Sequence, residues 1–244
     1  MDVAPHPHLG LQTVSWLLDG EVVHHDSLGF EALVRPGQLN LMTAGKGIAH
    51  SEETPKGNSG RLNGLQLWVA LPEQHQHTDP LFDHYPTLPE IELPDGKVTV
   101  ILGEMLGQQS SARSFSAIVG AEISIRKGSK LTIPLKRDFE HALFVLDGDV
   151  SFQDDRLQLQ MLHYLGDGRD EAELRATEAS RVLLIGGEAF DQPVLMWWNF
   201  VGRTQNELAQ AREDWEQHRR FGEVNAYRGS RVTAPEMLST FLNR

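Results

Sequence analysis

Two pairs of side chains near the start of the chain have types and spacings that could do chemistry together. Ala4-Pro5-His6-Pro7-His8-Leu9-Gly10 sets two imidazoles two residues apart, and Gly47-Ile48-Ala49-His50-Ser51-Glu52 sets an imidazole and a carboxylate at the same spacing. In extended backbone, positions i and i+2 point to one face, so each pair is a two-pronged clamp. If the two strands face one another inside a barrel, three nitrogens and one carboxylate converge on a point, which is the donor set of a metal site. Such a set suits Fe(II), Mn, Ni, Cu or Co, and affinity order alone does not choose among them. Four protein ligands leave up to two octahedral positions for substrate and dioxygen, which favours redox or Lewis-acid chemistry. The competing account is that His6 and His8 lie in a frayed terminus and His50 is a satisfied core histidine.

The composition narrows what else the chain can do. Its 244 residues suffice for one large domain or two small ones. A formal net charge of −12 argues against broad contact with nucleic acid or anionic membranes, which are held by clusters of Lys and Arg. There is no cysteine, so any metal must be held by His and carboxylate. No basic leader precedes an apolar run and no stretch approaches the roughly 20 apolar residues of a membrane span, so a cytoplasmic location is the expectation.

Elements must then position the clamps. From Met1 to about Leu71, short apolar runs cut by Gly, Pro and Asp read as strands and turns. A strand running on from His6 without a bulge would put His6, His8, Val14, Trp16 and Leu18 on one face. Asp19-Gly20 reads as a hairpin turn, Pro36-Gly37 as the next turn, and Gly45-Lys46-Gly47 as the tight loop that aims His50. Leu65 to Leu71 is a further strand. Glu73 to Gly96 reads as a long irregular connection, and strands resume at 98–102, 123–125, 131–135, 182–185 and 194–201. Thr204-Gln205-Asn206-Glu207 is a capping box, and Leu208, Ala211 and Trp215 follow at helical spacing, predicting a helix over about 205–221. Residues 223–244 read as a tail.

Ala142 to Val150 repeats Thr13 to Val22, with Leu-Asp-Gly in both copies, and this argues for two barrels of one kind in tandem. Registering Gly148 on Gly20 puts Pro134 and Lys136 where His6 and His8 stand. The second copy keeps the scaffold without the clamp; His141 and His163 have no ligand partner at i+2. One metal per chain is expected.

The chain resembles the pirin family of the cupin superfamily. The resemblance is carried by Pro5-His6-Pro7-His8-Leu9-Gly10, Leu18-Asp19-Gly20-Glu21-Val22, His25-Asp26-Ser27-Leu28-Gly29 and Arg35-Pro36-Gly37. The block from Met42 to Glu52 (MTAGKGIAHSE), Leu65-Gln66-Leu67-Trp68 and Trp197-Trp198-Asn199-Phe200-Val201 extend it. It implies an all-β fold of two tandem cupin-like, jelly-roll β-barrels, here divided at 1–104 and 105–222, with a C-terminal α-helix. It also implies one divalent metal, Fe(II) first, held by His6, His8, His50 and Glu52. Gln12 stands where cupins often place a Glu ligand, so the carboxylate must come from Glu52, as in pirins. Pirins carry a longer segment before the His-Pro-His motif, so the expectation is either a start placed too late or a shortened first barrel, whose lost strands would leave open edges prone to association.

Two functions follow from the resemblance. The first is a metal-dependent dioxygenase like quercetin 2,3-dioxygenase, acting as a monomer on a flavonol-like aromatic and O2, with Glu52 as base. The second is a non-enzymatic regulator acting through a protein partner, its metal state biasing the Glu73 to Gly96 loop. An inactive remnant is a third. Trp16 and Trp68 are weighed as cavity lining or core, with core favoured. His24, His25, His75, His77, His84 and His218 read as solvated, and His25-Asp26 as a turn pair. The Trp197-Trp198 pair and the helix are expected to cover a barrel face.

Overall fold

In the computed structural model, residues 1–237 are described. The chain divides into two compact units, Met1–Thr87 together with the chain from Phe190 onward, and Leu88–Ala189. The strands of the first unit are β1 (Asp2–His8), β2 (Leu11–Asp19), β3 (Val22–Asp26), β4 (Glu31–Val34), β5 (Leu39–Thr43), β6 (Ile48–Glu53), β7 (Asn63–Ala70) and β8 (Leu81–Tyr85). They form two four-stranded sheets in the orders β1-β6-β3-β4 and β7-β2-β5-β8. All named pairings are antiparallel.

Gly10 breaks the long strand expected from His6. Its φ of +69° ends β1 at His8 and lets β2 start at Leu11 in the other sheet. The Asp19-Gly20 turn, with Gly20 at φ +87°, is likewise no hairpin: β2 pairs with β5 and β7, while β3 pairs with β4 and β6, so the turn carries the chain from one sheet to the other. The segment expected as an irregular connection holds β8, paired with β5, and a strand at Glu90–Leu93 paired with Gly96–Leu102 in the second unit. The strand Leu81–Tyr85 has too little alternation to stand out, and Glu90–Leu93 alternates but is only four residues long between Pro89 and Pro94.

The second unit repeats the first. Its strands Lys130–Pro134, Glu171–Ala176, Val150–Phe152 and Asp155–Arg156 lie side by side in that order. This is the sequence of roles played by β1, β6, β3 and β4. Gly148 sits at φ +89°, matching Gly20, and Pro134 closes the strand equivalent to β1. The six-stranded sheet of this unit encloses a core of Val98, Val100, Ile123, Leu143, Val182, Leu184 and their neighbours.

The helix α1 (Gln205–Glu216) starts on the expected capping box: Thr204 Oγ1 accepts from Glu207 N, and the Glu207 carboxylate accepts from Thr204 N. It stops before the expected residue 221 because His218 and Arg220 take positive φ. The helix packs with the first unit, not the second: Leu208, Ala211 and Trp215 share a cluster with Leu9, Ala49, Phe200 and Phe221, which Trp197 and Trp198 border. The expected boundary at residue 104 therefore differs from the division by contacts. Within the expected tail, residues 223–237 are packed: Val224 and Ala234 join that cluster, Trp215 Nε1 donates to Val232 O, and Val232 N donates to Pro5 O in β1. The remainder of that tail, 238–244, lies outside the described residues. Among the described residues no helix is long and apolar enough to cross a membrane.

Candidate metal centre

The pairing of β1 with β6 builds the site. His6 stands opposite His50 and His8 opposite Ile48, while a register shift between Val3 and His6 puts Val3 opposite Glu52. The shift adds one residue to β1, a bulge that re-aims the side chains beyond it. β6 is buried on both faces from Ile48 to Ser51, and His50 is 1% exposed.

Three imidazoles meet there. One nitrogen from each of His6, His8 and His50 lies within 4.8 Å of the other two, and this is the group of three potential ligand residues found among the described residues. Nε2 of His8 is 3.0 Å from Nε2 of His50. His6 Nδ1 lies 2.9 Å from the Ala4 carbonyl; a donated N–H there leaves Nε2 as its free nitrogen. Burial and the mutual repulsion of the rings push His8 and His50 well below the ordinary histidine value, and burial lowers His6. The rings are therefore neutral near pH 7, and each keeps one nitrogen without a proton. His8 Nδ1 is buried without a partner. Converging neutral imidazoles in a buried pocket fit a divalent cation, which would satisfy the lone pairs that the rings cannot satisfy among themselves.

Glu52 is close by but is not brought into that group of nitrogens. Its Oε1 accepts from Gln66 Nε2 of β7 at 2.7 Å, and burial raises its carboxyl above the usual range. The carboxylate lines a cavity with Leu17, Val22, Val34, Leu65 and Gln66. Gln12 is fully buried and donates to Thr43 Oγ1. Trp16 is core, as favoured, whereas Trp68 is 39% exposed and stands edge-on to His8 at 5.3 Å between centroids. His141 of the second unit is buried, its value lowered by burial, and His163 lies against the backbone of Gln158.

One residue expected in solvent belongs here. His24 is 4% exposed, its ring stacked on Phe82 at 4.3 Å, with Nδ1 3.3 Å from His50 Nδ1 and Nε2 3.3 Å from Asp26 Oδ2. The alternation Val22, His24, Asp26 along β3 was the available signal, since all three point to the buried face. His25, on the opposite face, lies between Glu31 and Glu53.

Comparison with known proteins adds a family to this geometry. The pirin family model matches residues 1–69 and the pirin C-terminal cupin domain matches residues 120–222. A Pseudomonas aeruginosa protein named "Putative quercetin 2,3-dioxygenase" is 42% identical over 96% of this chain and 74% of its own length. Human pirin is 34% identical over 84% of this chain and 73% of its own. A crystal structure of quercetin 2,3-dioxygenase from Acinetobacter baumannii superposes with a TM-score of 0.95 at 42% identity, covering 98% of this chain and 80% of that one.

Proposed function

The chain belongs to the pirin family, and from that premise we propose that it is a metal-dependent dioxygenase of the quercetin 2,3-dioxygenase type, opening the central ring of a flavonol-like substrate with O2. The observation that carries the reading is the convergence of three neutral imidazoles from β1 and β6, those of His8 and His50 buried and that of His6 partly so. The names of the relatives support the substrate class.

His6, His8 and His50 would hold the metal, with Glu52 as the fourth ligand. A divalent ion such as Fe(II), with Mn, Ni, Cu or Co as the other candidates, supplies Lewis acidity toward a hydroxyl and keto pair and, where it is redox-active, access to O2. Glu52 is the base. Burial raises its proton affinity, Gln66 fixes Oε1, and Oε2, on loosening from the metal, would take the substrate's hydroxyl proton. Leu17, Val22, Val34 and Leu65 give an aromatic substrate an apolar bed beside that carboxylate. The ring opens with loss of carbon monoxide, and the overall conversion consumes no external reductant.

The rival reading, a regulator working through a protein partner, rests on a long loop at Glu73 to Gly96. Much of that segment is paired strand. Oxygen uptake on adding quercetin to Fe(II)-loaded protein, beside His50→Ala and metal-free samples, tests the proposal. Uptake that requires both iron and His50 is expected. A folded protein that binds one metal without uptake overturns flavonol cleavage and favours the regulator.

A further inference from the structure

We infer that His24 is a positioning residue, which with Asp26 fixes the tautomer of His50 so that its Nε2 carries a lone pair toward the centre. The inference rests on the metal-site reading above, and it concerns a residue outside the proposed ligand set.

The direction of the hydrogen bonds follows from the far end of the chain of contacts. Asp26 Oδ1 already accepts from the backbone N–H groups of Leu28 and Phe30, at 2.9 and 3.0 Å. Its Oδ2 therefore faces His24 Nε2 as a second acceptor, and the proton between them belongs to Nε2. With its N–H on Nε2, His24 has a bare Nδ1. That nitrogen, 3.3 Å from His50 Nδ1, can only accept, so the proton of His50 is drawn to Nδ1. Nε2 of His50 is then the unprotonated nitrogen, and it is the atom that faces His8 Nε2.

The opposite order would set a bare His24 Nε2 against the Asp26 carboxylate, lone pair against lone pair. Packing holds the ring in the plane the relay needs: Phe82 lies parallel to His24, 15° between planes, and His24 is paired in register with Glu52 across β3 and β6. Asp26, whose side chain is fully buried, stands opposite His50 itself. A second imidazole interposed between carboxylate and ligand does here what a carboxylate or carbonyl commonly does directly.

Two variants and two readouts test this. His24→Phe removes the acceptor while keeping a ring to stack on Phe82; His24→Gln restores an acceptor oxygen. In metal-free wild type, nitrogen-detected imidazole spectra should show His50 protonated on Nδ1. In His24→Phe the Nε2-protonated form should appear, and Co(II) affinity should fall about 10- to 100-fold, with partial recovery in His24→Gln. An unchanged His50 tautomer and a Co(II) affinity within twofold of wild type in His24→Phe would overturn the inference. If wild type takes up no Co(II), the metal reading fails instead, and the His50 tautomer alone decides the role of His24.

Discussion

The α-carbon of Gly10 lies against the carbonyl of Val201, so closely that a Cβ built on it would be 2.1 Å from that oxygen. The same glycine donates to Gly45 O, accepts from Leu71 N and holds φ at +69°. It joins the strand carrying His6 and His8 to the loop before His50 and to the returning C-terminal segment. Gly10→Ala should therefore cost about 2 kcal/mol or more, from left-handed backbone and collision together. Urea unfolding checks it: the midpoint should drop with the slope unchanged, and an unmoved midpoint would mean that the contact relaxes freely.

His50→Ala should abolish metal uptake, because it removes one of three converging nitrogens. His141→Ala should leave metal content alone, since no second ligand group accompanies it among the described residues. Metal analysis after loading and gel filtration separates the two. Loss of metal from the His141 variant would show that the second unit takes part.

Acid should destabilise the metal-free fold below the ordinary histidine value of about 6.5. His6, His8 and His50 are lowered in the folded state, so as pH falls the unfolded chain takes up protons that the folded chain refuses. Stability then decreases with falling pH, by up to about 1.4 kcal/mol per pH unit for each ring held neutral. Urea midpoints at pH 7.5 and 5.5 would reveal this, and equal midpoints would contradict neutral burial of the trio.

Glu52 has the opposite sign. Its value is raised, so its ionised form burdens the fold as pH climbs through that raised value. Glu52→Gln should leave the metal-free protein as stable as wild type or about 1 kcal/mol more so and should weaken metal binding. Calorimetric melting with and without metal reads both effects; a destabilised apo variant would indicate that the Gln66 contact outweighs desolvation.

Thr204→Ala should cost about 1 kcal/mol through loss of the capping box. Because α1 packs on Leu9 and Ala49, the same variant should also speed hydrogen exchange in β1. Exchange confined to the helix would show that the strand does not depend on it.

The sequence revealed most where spacing alone carries information. The i, i+2 pairs at His6, His8 and His50 reported a shared strand face, and the Leu-Asp-Gly repeat reported two barrels, because both are local patterns. His24 was misread because its neighbours there, Phe82 and His50, come from β8 and β6, and only its alternation with Val22 and Asp26 hinted at burial. Glu52 had the right spacing, yet its hold by Gln66 depends on how β6 and β7 meet. Residues 223–237 have no periodicity to read; they are ordered by contacts such as Trp215 with Val232 and Arg231 stacked 4.0 Å over the Trp215 ring.

The return of the chain to the first unit also sets a timetable. Pro5 of β1 takes Val232 as its partner and Leu9, just after β1, takes Asn199 and Val201, all made only after the whole of Leu88–Ala189. At about 5–20 residues per second of synthesis, the strand bearing His6 and His8 waits on the order of 10–40 s for the segment that begins at Asn199. During that interval the second unit, continuous in sequence, can fold on the ribosome while the first remains unfinished. A chain stalled after residue 189 would hold all four proposed ligands without the helix that packs on Leu9 and Ala49.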